Sequence, residues 1–249
     1  MNENVRIAQI RVSVFLSENI GFEPSVAEKF KELLMPRGEF CAVIAGPGGK
    51  FVASPTISSQ IPWGATWGIM NDISGRIMFL PGKIDFVKEY DILYERSQVQ
   101  DYIAWVVKSI CTLNDNLNAR NVAWQRIAYA PLLALTTKGC DDVMNCMWDN
   151  IMHVQTLDGG PLEERSVSYL QKKIVDLRGK DVHLNLHHTI LDGVRFFADG
   201  RPEQKATLIQ LDLNTIPGSG APYSMDEITA FYDLVISMAE ALVEKIINC

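Results

Sequence analysis

Side chains able to do chemistry concentrate in one string, His187-His188-Thr189-Ile190-Leu191-Asp192-Gly193. A histidine titrates near neutral pH, so two imidazoles with a nearby carboxylate are candidates for proton transfer. The flanking residues argue for a different use. Leu184, Leu186, Thr189 and Leu191 are strand-compatible, and the turn signal Asp199-Gly200-Arg201-Pro202 separates the string from an apolar stretch over 206–214. That combination predicts a β-hairpin. In an extended chain His188 and Asp192 would share a face but lie about 13 Å apart, beyond direct contact. His183 and His187 would be separated by the same ~13 Å, too far to share one ion, while adjacent His187 and His188 would point to opposite faces. The pattern predicts no metal site and calls for no cofactor.

Other motifs carry less. The run Ile44-Ala45-Gly46-Pro47-Gly48-Gly49-Lys50-Phe51 superficially suits a phosphate, because glycines let backbone N–H groups approach one. Ile44 stands where the first glycine belongs, however, and Phe51 where a magnesium-binding hydroxyl belongs, and the following residues read as strand. A β-turn fits better. Trp63 and Trp67, beside Pro62 and Gly64, are candidates for lining a ligand or partner surface. The pair Glu163-Glu164 reads as solvated charge, and no G-x-S-x-G nucleophile string is present.

The elements that must position these residues are legible from periodicity. Val5, Ile7, Ile10, Val12, Val14 and Leu16 alternate with one slip near Ala8, which predicts a strand with a bulge. The capping box Ser25-x-x-Glu28 opens a helix that ends before Gly38. From Phe40 to about Tyr90, short β-rich stretches alternate with turn residues, predicting three or four antiparallel strands. Ser97 to Leu113 carries Val99, Tyr102, Ile103, Val106, Val107, Ile110 and Leu113 at helical spacing. The asparagine-rich stretch 114–121 reads as a connection.

After it the order begins again. A strand is expected between about Ala123 and Thr136, a short helix between about Asp141 and His153, and strands at about 165–177, 182–197 and 206–214. Pro222 and the box Ser224-x-x-Glu227 then open a last helix with Ile228, Phe231, Tyr232, Val235, Met238, Leu242 and Ile246 on one face. The predicted class is therefore α+β: two similar halves, 1–117 and 118–249, each running strand, helix, antiparallel strands, helix. Helices should pack on one side of the antiparallel sheet, whether the halves are separate or one integrated domain.

Composition bounds the function. At 249 residues and 47% apolar the chain can bury a substantial core, and its longest apolar runs fall short of a bilayer span. A net charge of −7 without a lysine or arginine cluster argues against a nucleic-acid partner. The N-terminus lacks a basic and then apolar leader, and the five scattered cysteines show no C-x-x-C spacing, so they read as reduced thiols, mostly core fillers. These features predict a cytoplasmic protein with no membrane association.

Two resemblances arise. The strand ending Ile77-Met78-Phe79-Leu80-Pro81 before the Ser97 helix, the strand Arg126-Ile127-Ala128-Tyr129 and the closing Leu211-Asp212-Leu213 before a long helix resemble a sporadically distributed family of bacterial proteins of similar length and unassigned function. That resemblance implies no catalytic residues and hints at an accessory role such as phage defence. Separately, His187 to Gly193 is similar to the H-H-x-x-x-D-G signature of acyltransferases resembling chloramphenicol acetyltransferase and peptide-synthetase condensation domains. The similarity implies His188 as general base and Asp192 as the orienting residue, with Arg195 or another arginine as a possible partner. In that family a helix follows the glycine, whereas 194–198 leads straight into a turn. The sequence therefore favours a non-catalytic protein that binds another protein chain, or copies of itself, with CoA-dependent acyl transfer through His188 as the alternative.

Overall fold

A computed structural model of the chain describes residues 5–18, 40–45, 51–54, 66–69, 72–93, 95–118, 121–135, 165–196 and 204–247. In chain order the elements are β1 (Val5–Leu16), β2 (Phe40–Ala45), β3 (Phe51–Ser54), β4 (Thr66–Ile69), β5 (Asp72–Leu80), β6 (Lys83–Leu93), α1 (Arg96–Asn118), β7 (Trp124–Leu135), β8 (Arg165–Asp176), β9 (Asp181–Phe196), β10 (Gln204–Thr215) and α2 (Met225–Ile247). The strands form one sheet in the order β3-β2-β4-β5-β6-β1-β7-β10-β9-β8. Every neighbouring pair is antiparallel.

Alternation decides which face each side chain takes. On β1, Val5, Ile7, Ile10, Val12 and Val14 are buried toward the helices, and the slip near Ala8 is a register irregularity between Ile7 and Gln9 against both neighbours. One extra residue there keeps Ile7 and Ile10 on the same face despite their odd spacing. The matching positions on neighbouring strands, Ile84 and Phe86 on β6, Ile127 and Tyr129 on β7, and Ile209, Leu211 and Leu213 on β10, extend one apolar layer across the sheet. Against it α1 buries Val99, Tyr102, Val106, Ile110 and Leu113, and α2 buries Ile228, Phe231, Tyr232, Val235 and Val243. These residues form a single core cluster. The fold is thus α+β, with one antiparallel sheet and two described helices on one face.

The sheet is built outward from the β1–β7 pair, which runs from Val5↔Leu135 to Leu16↔Trp124. On one side β1 is followed by β6, β5, β4, β2 and β3; on the other, β7 is followed by β10, β9 and β8. In both directions the strand that opens a half lies beside the one that closes it. Pro131 sits in the middle of β7, where a residue without an N–H cannot donate to a ladder. Its pairing to Ile10 of β1 is kept, whereas the β7–β10 ladder is interrupted, in unchanged register, between Leu132↔Gln210 and Tyr129↔Leu213.

Two expectations need correction. The region from Phe40 to Leu93 holds five described strands, not three or four, because three of them, β2, β3 and β4, are only four to six residues long and are marked by pairing rather than by length. The helix expected to stop at Leu113 continues to Asn118. Asn114 is held within it, its Oδ1 accepting the Trp124 indole N–H at 3.0 Å, a long-range contact that local asparagine content does not announce. The helices expected at 25–37 and 141–153, and the glycine run 46–49, lie outside the described residues. That run joins β2 to β3, which pair antiparallel from Ala45↔Phe51, so a strand follows it.

Candidate interaction site at the β8 edge

The histidine string lies wholly within β9 and is split between the two faces of the sheet. His188 is 5% exposed on the helix-covered side, where its ring stacks on Tyr169 of β8 with centroids 4.6 Å apart and planes 4° from parallel. Neither imidazole nitrogen finds a hydrogen-bond partner among the described residues. Burial, and then the neighbouring His187, lower the His188 pKa from its ordinary value, and burial raises that of the Tyr169 phenol. His187 is exposed on the opposite face, 2.6 Å from the Ser168 hydroxyl, which also lies 3.1 Å from the Thr189 hydroxyl.

Asp192 follows His188 along the same strand, its Cα opposite Arg165 of β8, and Arg195 stands opposite Lys205 of β10. No turn into a helix interrupts β9, which pairs with β10 up to Phe196↔Gln204. The backbone therefore does not fold His188 and Asp192 toward each other. The side chains of Asp192, Arg195 and Trp67, and all of Trp63, are outside the described residues; Trp67 is placed only by its backbone, opposite Ile77 and Ala42 within the sheet. Among the described residues no group of three or more His, Cys, Asp and Glu side chains could hold a metal ion.

Strand β8 is the last of the described strands on this side of the sheet. It is held inward by a tight turn in which Leu177 N–H donates to Lys180 O at 2.9 Å, Gly179 N–H donates to the Asp176 carboxylate at 2.7 Å, and Arg178 and Gly179 take positive φ. Lys180 fastens this turn to the start of α2, its ammonium donating to Pro222 O at 2.7 Å and lying 3.0 Å from Glu227. Burial pushes the Glu227 carboxyl upward, but hydrogen bonds from Ser224 and Lys180 outweigh it and hold the pKa below its ordinary value.

Near its turn end β8 is anchored in the core through Val175 and Leu177. Gln171, Lys172, Lys173 and Ile174 are exposed in succession, so this stretch is bare on both faces of the sheet. Leu170 and Ile174, 55% and 57% exposed, are the exposed large hydrophobic residues among those described. Their partners are His187 and His183, and Lys172 between them is opposite Asn185, which places all three on the face away from the helices. Sequence reading missed this site because VSYLQKKIV reads as an ordinary strand. The period-two pattern does hint at it: the side facing the helices carries Tyr169, Gln171 and Lys173, while the two aliphatic residues fall on the other side.

The same far face carries a polar belt that sequence reading also missed. The Ser13 hydroxyl donates to Asp85 at 2.6 Å, Lys83 lies 2.8 Å from Asp85, Arg126 donates to the Asn214 carbonyl oxygen at 2.8 Å, and the Asn214 amide donates to Asp212 at 2.9 Å. Lys83 and Arg126 flank the Phe15 ring at 5.2 and 4.8 Å. These groups largely satisfy one another, as buried polar side chains must.

Two concavities lie elsewhere. One of about 550 Å³ runs between α1 and α2, lined by Ile103, Val107, Cys111, Thr229 and Ile236; Cys111 is exposed there and is not one of the cysteines that fill the core. The other, about 570 Å³, opens at the N-terminus of α2, where Ser224 and Glu227 already cap the first turn.

No protein-family model matches the chain, and no curated protein matches it. Among the described residues no helix is long and apolar enough to cross a membrane.

Proposed function

We propose that the chain is a non-catalytic binding or assembly protein of the cytoplasm that docks another protein chain along the β8 side of its sheet. The observation that carries this reading is the bare stretch of β8, where Leu170 and Ile174 stay in water on a strand that has no neighbour on its outer side among the described residues. Aliphatic side chains lose favourable burial when left exposed, and a terminal strand offers unpaired backbone donors and acceptors. Folded proteins ordinarily blunt such edges, so one carrying two aliphatic residues suits pairing with a partner. The matching order of the four strands nearest the β1–β7 seam on each side, β1-β6-β5-β4 and β7-β10-β9-β8, supports an internal duplication as the origin of the scaffold.

The test is co-purification of the tagged chain from its own cells, compared with a Leu170→Ser/Ile174→Ser variant whose circular dichroism matches the parent. Loss of a stoichiometric partner in the variant is expected. Retention of every partner by the variant defeats the proposal, as does acyl transfer from an acyl-CoA to a hydroxyl or amine acceptor that disappears in a folded His188→Ala variant.

A further inference from the structure

The face and charge of β8 also specify what kind of chain fits it. Along the far side of the exposed stretch the order is aliphatic, cation, aliphatic: Leu170, Lys172, Ile174. On the helix side of the same stretch stand Gln171 and Lys173, both exposed. Lys172 and Lys173 therefore project to opposite faces of one strand. Neither has a carboxylate within ion-pair distance among the described residues. A strand laid against this edge meets two aliphatic side chains separated by one positive charge on one face, and a second positive charge on the other.

Every pair in the sheet is antiparallel, so an added strand continues the same ladder by running antiparallel to β8. Directly opposed side chains lie about 4.5–5.5 Å apart and interact most strongly when aliphatic meets aliphatic and cation meets anion. Read from its own N-terminus, the complementary strand places an aliphatic residue opposite Ile174, acids opposite Lys173 and Lys172, a polar residue opposite Gln171 and an aliphatic residue opposite Leu170. A second copy of this chain fits less well, because the antiparallel self-pairing that covers Leu170 with Ile174 sets Lys172 against Lys172, and like charges directly opposed are destabilising.

Lysine on an edge strand commonly serves to repel other strands. Here the lysines lie between two exposed aliphatic residues, an arrangement that admits an acidic strand while rejecting neutral or basic ones. We infer that β8 captures an extended, acidic-apolar segment of a partner protein by adding it as an eleventh, antiparallel strand. This rests on the binding-protein reading above and names the partner's chemistry.

The probe is a fluorescein-labelled peptide with the centre Val-Glu-Glu-Thr-Val, titrated with the full chain and followed by fluorescence polarisation. Three comparisons accompany it: a Val-Lys-Lys-Thr-Val peptide, the acidic peptide N-methylated at alternate backbone nitrogens, and a Lys172→Glu/Lys173→Glu variant of the chain. The acidic peptide is expected to bind at least about tenfold more tightly than the basic one, since two cross-strand charge pairs change sign. N-methylation should abolish binding, because it removes the donors of the ladder, and the charge-reversed variant should exchange the order of the two peptides. Equal binding of both peptides, or binding indifferent to N-methylation, overturns the inference.

Failure of the acidic peptide to bind, while Leu170→Ser/Ile174→Ser still strips the cellular partner, overturns the strand-addition chemistry and leaves the binding role standing. If that variant strips nothing, the role itself fails. A concentration-dependent dimer of the parent chain that the Leu170→Ser/Ile174→Ser variant loses would also overturn the inference in favour of self-association.

Discussion

At His188 an aromatic ring with two polar atoms occupies a position that the sheet's alternation reserves for apolar side chains. Leu184, Leu186 and Ile190 on the same face of β9 are all buried, and the imidazole completes that row by stacking on Tyr169. Its role is legible in the sequence as strand residue and invisible as core residue, because Tyr169 lies across a hairpin and the pairing that brings it opposite is set by the register of β8. A buried neutral histidine has a definite pH consequence. Its folded-state pKa is depressed by burial, whereas the unfolded chain titrates near 6.5, so between these values the unfolded state binds more protons. The stability associated with the neutral ring is present above about pH 6.5 and is lost as pH falls through the folded-state pKa. His188→Phe keeps a ring against Tyr169 and removes the titration. Urea midpoints measured at neutral pH and near pH 5 should show a smaller acid-induced loss for the variant than for the parent, and equal losses would rule out His188 as a contributor.

Among the elements, those whose boundaries rest on local chemistry were the most legible. The box predicted at Ser224 forms as expected, the Glu227 N–H reaching Ser224 Oγ at 3.3 Å and the Ser224 N–H reaching the Glu227 carboxylate at 2.6 Å. Strand β1, its bulge included, follows from its alternation alone. What the sequence does not display is set by distant contacts. The far end of α1 is fixed by the Trp124–Asn114 bond, and although the period-two pattern puts Leu170 and Ile174 on one face, their exposure depends on β8 being the last described strand on its side of the sheet. The capping box has a second duty, since Glu227 also receives Lys180 from the β8–β9 turn and so couples the start of α2 to the hairpin that presents β8. Ser224→Ala removes one cap acceptor and should lower stability by about 1 kcal/mol. Thermal unfolding followed by circular dichroism checks this, and a variant as stable as the parent would mean that the first turn of α2 contributes nothing measurable.

On the scale of the whole molecule, the repeated order of elements suggests two halves, yet the contacts run across the boundary between them. The pair β1 with β7, inside the sheet, takes one strand from each half, and α1 packs beside α2, with Arg96 2.9 Å from Glu240. Trp124 sits at the same junction: its indole reaches Asn114 of α1, and its carbonyl accepts the Tyr223 N–H that leads into α2. Dividing the chain between residues 117 and 118 would turn β1 and β7 into edges. It would also remove the cross-half packing of Ile10, Val12, Ile127 and Tyr129, all essentially buried in the intact core. Burial of an aliphatic or aromatic side chain is worth roughly 1.5–3 kcal/mol, and a domain's net stability is only about 5–15 kcal/mol, so losing several such contacts at one seam removes much of the margin of each half. The intact chain is therefore expected to unfold in one cooperative step, with tryptophan fluorescence and far-ultraviolet circular dichroism tracing the same urea transition and a calorimetric enthalpy equal to the van't Hoff enthalpy. The separate pieces 1–117 and 118–249 should each lack a cooperative transition. Two resolved transitions in the intact chain, or a cooperatively folding isolated half, would show that the seam between β1 and β7 is a domain boundary and not the centre of one core.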